Sequence, residues 1–228
     1  MVDDALDLAV ALGAVLALAI ILRDRANPRW WRPLAIAMVA IVVHDVVLRL
    51  PLHVPEARLL GGYWNWTGKL FAIAAGLGFA ALVDPADSRR WLRLPAGDPV
   101  VYLGLGAVAV LAFVVSLLVM WPRPFDGETI AFQLTLPTID EELFYRGVVL
   151  SLLSAATRSR VAPILITALL FGLAHIAVAS FEPLVFIRTF AFGLVCGWLT
   201  VRSDRSLWPA AVFHSTTNTL PQLAGMLI

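Results

Sequence analysis

Apolar runs long enough to cross a bilayer fill almost the whole chain, and this feature leaves few folds open. Eight runs bounded by charge or proline are found at about 5 to 22, 33 to 50, 66 to 83, 99 to 121, 129 to 156, 162 to 181, 184 to 201 and 207 to 226. A helical span takes about 20 residues, so eight spans with short loops consume nearly all of the 228 residues and leave no room for a large soluble domain. Composition agrees: 60% of the residues are hydrophobic, 14% are charged and the mean hydropathy is +0.85. A soluble chain carries roughly a quarter charged residues, so a water-soluble globule and a disordered chain are both excluded. Period-2 alternation is absent, which argues against a membrane barrel. The expected fold is an all-α polytopic membrane bundle with about eight transmembrane helices, forming one integral membrane domain over residues 1–228. A net charge of +1 gives no electrostatic footprint for nucleic acid, and the single cysteine, Cys196, forms no intramolecular disulfide.

Basic residues set the orientation. Arg23, Arg25, Arg29 and Arg32 follow the first run, Arg89, Arg90 and Arg93 the third, Arg158 and Arg160 the fifth, and Arg202 and Arg205 the seventh; the other connections hold only Arg58 and Arg123. By the positive-inside rule the odd-numbered loops are cytoplasmic, which puts both termini outside and fits an even number of spans. The first run begins with Asp3, Asp4 and Asp7 where a signal peptide needs positive charge, so it reads as an uncleaved helix. Trp30, Trp31, Trp64, Trp66, Trp121, Trp198 and Trp208 fall near run ends, at headgroup level, while Trp91 is expected on the membrane-facing side of a cytoplasmic loop. Sixteen arginines against one lysine suggest a GC-rich prokaryotic source.

In so apolar a chain the information sits in ionisable residues inside the runs, since each is expensive at the bilayer centre. Lys69 and Arg188 lie within a turn or two of an interface and read as snorkelling side chains. Asp45 and Arg49, four apart, can neutralise each other, with His44 beside them as a satisfied polar residue. Cys196 sits between Gly193 and Gly197 in a small-residue pattern that suits close helix packing.

Three clusters resist such readings: Asp140, Glu141, Glu142 and Arg146 in the fifth run, Phe171 and His175 in the sixth, and His214 and Asn218 in the eighth. Counted inward along alternating spans at about 1.5 Å per residue, Glu141, His175 and Asn218 reach similar depth near mid-membrane, with His214 one turn nearer the cytoplasm. One interior cavity would collect them. Glu142 and Arg146, four apart, can form a buried ion pair. Glu141, rotated about 100° from Glu142, lacks a local partner and is placed to act as a general base or acid. His175 offers an imidazole, and His214 with Asn218 offers two hydrogen-bond donors suited to an oxyanion. Pro137 is expected to break the fifth run, with Thr138 and Glu141 at capping-box spacing as its restart. A purely structural polar network would use the same residues.

These residues resemble the intramembrane CAAX-processing and bacteriocin-processing proteases (the CPBP, or abortive-infection-type, family), whose eukaryotic members are the type II CAAX prenyl endopeptidases. The family motifs EExxxR, FxxxH and HxxxN read here as Glu141, Glu142 and Arg146, then Phe171 and His175, then His214 and Asn218, in order and without substitution. The resemblance covers about residue 128 to the C-terminus, the expected catalytic core; the first four runs are similar only in being hydrophobic. It implies peptide-bond hydrolysis within the membrane, with Glu141 and His175 activating water, His214 and Asn218 stabilising the oxyanion, and Glu142 with Arg146 holding the helix. A metal-free site without cofactor is expected, because HExxH is absent and Asn218 is a poor zinc ligand; zinc held by Glu141, His175 and His214 is the alternative.

Other classes remain open. A proton-coupled transporter would also bury such residues, although the two-fold repetition of half-helices typical of carriers is absent. Haem ligation by His175 and His214 is a further reading, as is a non-catalytic scaffold or immunity protein. The expected partners are the lipid bilayer and a peptide or protein substrate reached within it: a peptide precursor, a pheromone or bacteriocin leader, or a sorting helix.

Overall fold

The computed structural model describes residues 2–94, 99–119, 121–178 and 183–227, and every regular element among them is helical. α1 (Val2–Leu22), α2 (Trp31–His53) and α3 (Trp66–Ala80) are followed by the short α4 (Pro85–Trp91) and the long α5 (Pro99–Val119). The next run is broken. It comprises α6 (Gly127–Leu134), α7 (Leu136–Glu141), a π-helical segment over Glu142–Val149 and α8 (Leu150–Thr157). α9 (Ala162–Val178), α10 (Pro183–Arg202) and α11 (Trp208–Leu227) complete the chain.

Helical elements thus stand where the eight apolar runs lie, but eight spans do not follow. By length and composition, three helices among the described residues are long enough and apolar enough to cross a membrane: Trp31–His53, Val100–Val119 and Pro183–Arg202. α3 (Trp66–Ala80) is apolar but shorter, and the described side chains of α1 and α9 form the apolar stretches Leu8–Leu22 and Ala162–His175. The reasons are local. The fifth run is interrupted at Thr135 (φ −117, ψ −87), α3 has only 15 residues, and α11 carries His214, Ser215, Thr216, Thr217 and Asn218 in succession. The end of the sixth run, at 179–181, lies outside the described residues. Most of α5 is outward-facing, with Leu103, Val110, Leu111, Leu118 and Val119 exposed, as lipid contact requires. The chain is an integral membrane protein.

The central helix is the one that bears the acidic cluster. Phe144, Tyr145, Val148, Val149, Leu152 and Leu153 pack with Val15 and Ala19 of α1, Ala37 and Ile41 of α2, and Ile166, Leu170 and Phe171 of α9. α9 and α10 approach closely because Gly193 and Gly197 lack side chains: a Cβ there would meet Ala168 Cα at 2.9 Å and Ile164 Cγ2 at 3.0 Å. Hydroxyls within these helices are satisfied by their own backbone, Thr167 donating to Pro163 O, Thr189 to Val185 O and Thr200 to Cys196 O, so they can sit in an apolar environment without stranded donors.

Two expectations about this region are corrected. The fifth run does break beside Pro137, at Thr135, with Pro137 in the first turn of α7, but Thr138 is buried inside that turn and its hydroxyl finds no partner, so no capping box forms. Trp91 is not membrane-facing. It is inserted into the core against Gly147, where a Cβ would meet its ring at 3.2 Å, because α4, capped by Asp84, folds back under the bundle.

Candidate active site

Each element delivers its polar residue for a reason visible in the sequence. Asp126 caps α6 by accepting the Thr129 N–H (3.1 Å), and the Thr129 hydroxyl and backbone bonds hold its carboxyl below the usual carboxylate range. Glu128 accepts the N–H groups of Tyr63 and Trp64 and the Trp66 indole, which ties α6 to the start of α3. Lys69, one turn into α3, is thereby brought over α7.

There it donates to Asp140 Oδ2 (2.9 Å) and Glu141 Oε1 (2.8 Å). His44 of α2 completes the arrangement, with Nε2 2.8 Å from Asp140 Oδ1 and its ring stacked on Phe144. Asp140 is fully buried, and both of its oxygens are engaged. Lys69 is therefore not a snorkelling side chain, and Glu141, which has no partner on its own helix, has one on another. The Asp45–Arg49 pair forms as expected, at 2.9 Å, but His44 serves the acidic cluster instead.

The second carboxylate has two neighbours. His214 Nδ1 stands 2.7 Å from Glu142 Oε1, and Arg146 Nη1 lies 3.2 Å from the same oxygen, out of hydrogen-bond alignment. The i→i+5 spacing of the π segment, seen where Leu150 N–H donates to Tyr145 O, brings residues four apart closer to one line than the 40° offset of an α-helix. Arg146 is 1% exposed and lies over the Phe171 ring at 4.6 Å, with Tyr145 and Phe192 at 5.8 and 6.0 Å. Charge and aromatic faces hold it where hydrogen bonds do not.

Both histidines present Nε2 to the same oxygen. His175 Nδ1–H donates to Phe171 O (2.8 Å), which leaves Nε2 unprotonated in the neutral ring, 4.0 Å from Glu141 Oε2. His214, its Nδ1–H given to Glu142, holds Nε2 3.7 Å from that oxygen. With Oε1 taken by Lys69, Oε2 is the free face of Glu141. It lines a cavity of about 610 Å³ together with His175, His214 and Asn218, and with Arg188, which is exposed there and no mere interfacial cation. Trp64, Phe132, Phe171 and Phe192 supply apolar walls.

The fold and this cluster define a membrane protein with carboxylate and imidazole groups converging on an interior cavity. Residues 128–220 match the family described as Type II CAAX prenyl endopeptidase Rce1-like, a family of proteases, over the stretch that carries the three motifs. No curated protein and no solved structure matches the chain. All seven motif residues, Glu141, Glu142, Arg146, Phe171, His175, His214 and Asn218, gather around this cavity or directly behind it. Sequence reasoning passed over Lys69 and His44 as parts of the site, and gave Asp140, although it stands in the acidic cluster, no role. Lys69 is the one lysine in the chain and a charge placed four residues into an apolar helix, which was the available signal.

Proposed function

We propose that the chain is an intramembrane endopeptidase that hydrolyses a peptide bond with water activated by Glu141. The observation that carries the reading is the convergence of His175 Nε2 and His214 Nε2 on Glu141 Oε2 in a cavity of about 610 Å³. Atoms 4.0 Å apart, as Oε2 and His175 Nε2 are, can share one water at about 2.8 Å from each. Glu141 takes the water proton as oxygen attacks the scissile carbonyl carbon; the tetrahedral intermediate then breaks its C–N bond, and the proton passes from Glu141 to the leaving nitrogen. Lys69 fixes the carboxylate so that only Oε2 faces the water.

Asn218 and His214 serve the oxyanion. Since His214 gives Nδ1–H to Glu142, it can donate from Nε2 only as the doubly protonated ring. Glu142 thus acts as an orienting group for His214 as well as the partner of Arg146.

A metal-free site fits these residues better than zinc. Tetrahedral zinc with bonds of about 2.0 Å holds its ligands about 3.3 Å apart, shorter than the 3.7 and 4.0 Å found, and one Glu141 oxygen is already committed to Lys69. Among the described residues no three His, Cys, Asp or Glu side chains stand in ligating positions. The basic loops meet at one end of the bundle, which supports a cytoplasmic position for them and both termini outside; reporter fusions at each terminus test this.

The substrate class follows the family match: a membrane-associated peptide or protein precursor. The test is quantitative proteomics of membranes from cells carrying the wild-type chain or Glu141→Gln. At least one precursor is expected to accumulate uncut with the variant, and identical terminal peptides in the two membranes would refute the reading.

A further inference from the structure

At the end of the bundle opposite the cavity, arginines from separate loops converge. The cavity is lined by the starts of α3 and α10 and the later halves of α9 and α11; the other ends of those helices carry the connections that hold Arg90, Arg160, Arg202 and Arg205. Those loops are fastened together. Leu207 N–H donates to Trp91 O, Ser206 Oγ to Arg93 O, and Trp208 Nε1 to Leu92 O, which joins the α10–α11 turn to α4.

The four arginines line a second cavity of about 480 Å³ with Trp198, Val201 and one acid, Asp204. Asp204 is already paired with Arg90 at 3.1 Å. Asp204 and Arg205 both adopt left-handed backbone (φ 50 and 71) without being glycine, a conformation that strains an L side chain. The turn is held by Arg205 N–H donating to Thr200 O, and it turns the Arg205 side chain inward, where Nη2 donates to Ser154 Oγ (2.9 Å). Arg205 Nη1 is buried and has no hydrogen-bond partner. Burial pushes the Arg205 guanidinium down from its ordinary value, with Asp87 opposing, Arg90 adding to the effect and Asp204 opposing. Asp87 and Asp204 thus offset part of its charge, but no protein group satisfies Nη1.

We propose that this cavity binds a phosphate group, supplied by the headgroup of an anionic lipid. Guanidinium forks match phosphate oxygens bidentately, and a buried unpaired Arg205 donor would be satisfied by one of them. The position favours a lipid over free phosphate. Half-exposed Trp198 lies one turn before Arg202 on α10, a helix apolar enough to face acyl chains, and basic pockets at helix ends on the cytoplasmic side recruit anionic headgroups. The site is independent of the protease reading, since none of its residues touches the catalytic cavity.

The test uses the full chain in neutral detergent, with thermal unfolding followed at constant ionic strength in the presence of dioleoylphosphatidylglycerol, dioleoylphosphatidylcholine or inorganic phosphate. At a hundredfold excess over Kd, phosphatidylglycerol is expected to raise Tm by about 5 to 10 °C. Phosphatidylcholine should give at most a small rise. The double variant Arg160→Gln/Arg202→Gln, with both changes at exposed positions, is expected to lose more than half of the shift. Native mass spectrometry should retain phosphatidylglycerol on the wild type and not on the variant. An equal shift from inorganic phosphate, lost in the variant, would keep the site and assign it to free phosphate. Equal effects of the two lipids, or a variant that keeps the full shift and the bound lipid, would overturn the proposal.

Discussion

Replacing Lys69 by Met tests the geometry of the cluster. Its ammonium is shared by two carboxylates on consecutive residues, at 2.9 Å to Asp140 and 2.8 Å to Glu141, with Asp140 wholly buried. A unit charge pair 4 Å apart is worth about 4 kcal/mol at an effective dielectric of about 20, and stranding one member of a buried pair is measured at roughly 3 to 5 kcal/mol. Lys69→Met should therefore destabilise the protein by about 3 to 5 kcal/mol. At about 2 to 4 °C per kcal/mol for a chain of this size, Tm in detergent falls by about 6 to 20 °C. Adding Asp140→Asn removes the deeper stranded charge, and the double variant is expected to recover more than half of that loss, the signature of direct coupling. Peptide cleavage stays low in the double variant, because Glu141 has lost the group that fixes Oε1. A Lys69→Met protein that melts within 1 or 2 °C of wild type (roughly 0.5 kcal/mol on the same scale) and cleaves at the wild-type rate would refute this reasoning. A double variant no better than the single one would show that Asp140 is not the partner.

Arg146→Ala leaves Glu142 buried beside an empty aromatic cage, so yield and Tm should fall together, by about 3 to 5 kcal/mol in unfolding free energy; a fully stable but inactive variant would make Arg146 a substrate contact. If His214 and Asn218 hold the oxyanion as proposed, His214→Ala and Asn218→Ala should each lower kcat about 10² to 10³-fold with KM little changed, a split readable in steady-state kinetics of the purified protein. Exhaustive chelation should leave cleavage unchanged; activity lost to chelator and restored by zinc would overturn the roles given to Glu141, His175 and His214.

The all-helical architecture and the convergence of three motif-bearing helices were legible because each rests on spacing within one helix. Glu142 with Arg146, and the small face made by Gly193 and Gly197, depend only on residues four apart. What escaped depends on pairing between helices. His44 and Lys69 lie 96 and 71 positions from Asp140, and no periodicity connects them. For Arg188 the sequence offers depth alone, which fixes how far a cation sits from an interface but not whether it turns to lipid or to a cavity. Trp91 followed the average behaviour of interfacial indoles until the fold of α4 placed it against Gly147. The count of eight spans is left without confirmation for a related reason: hydropathy registers the run from 129 to 156 as continuous, whereas the backbone at Thr135 breaks it.

The central claim is that Glu141 performs the chemistry. Once a cleaved precursor is identified, the most direct measurement is single-turnover cleavage of its peptide by purified wild type and Glu141→Gln, with peptide binding and Tm recorded for both. Glu141→Gln keeps the side-chain size and can still hydrogen-bond to Lys69, so it is expected to fold and bind peptide nearly as the wild type does while cleavage falls to background. A variant that binds normally and retains cleavage within tenfold of wild type would contradict the account.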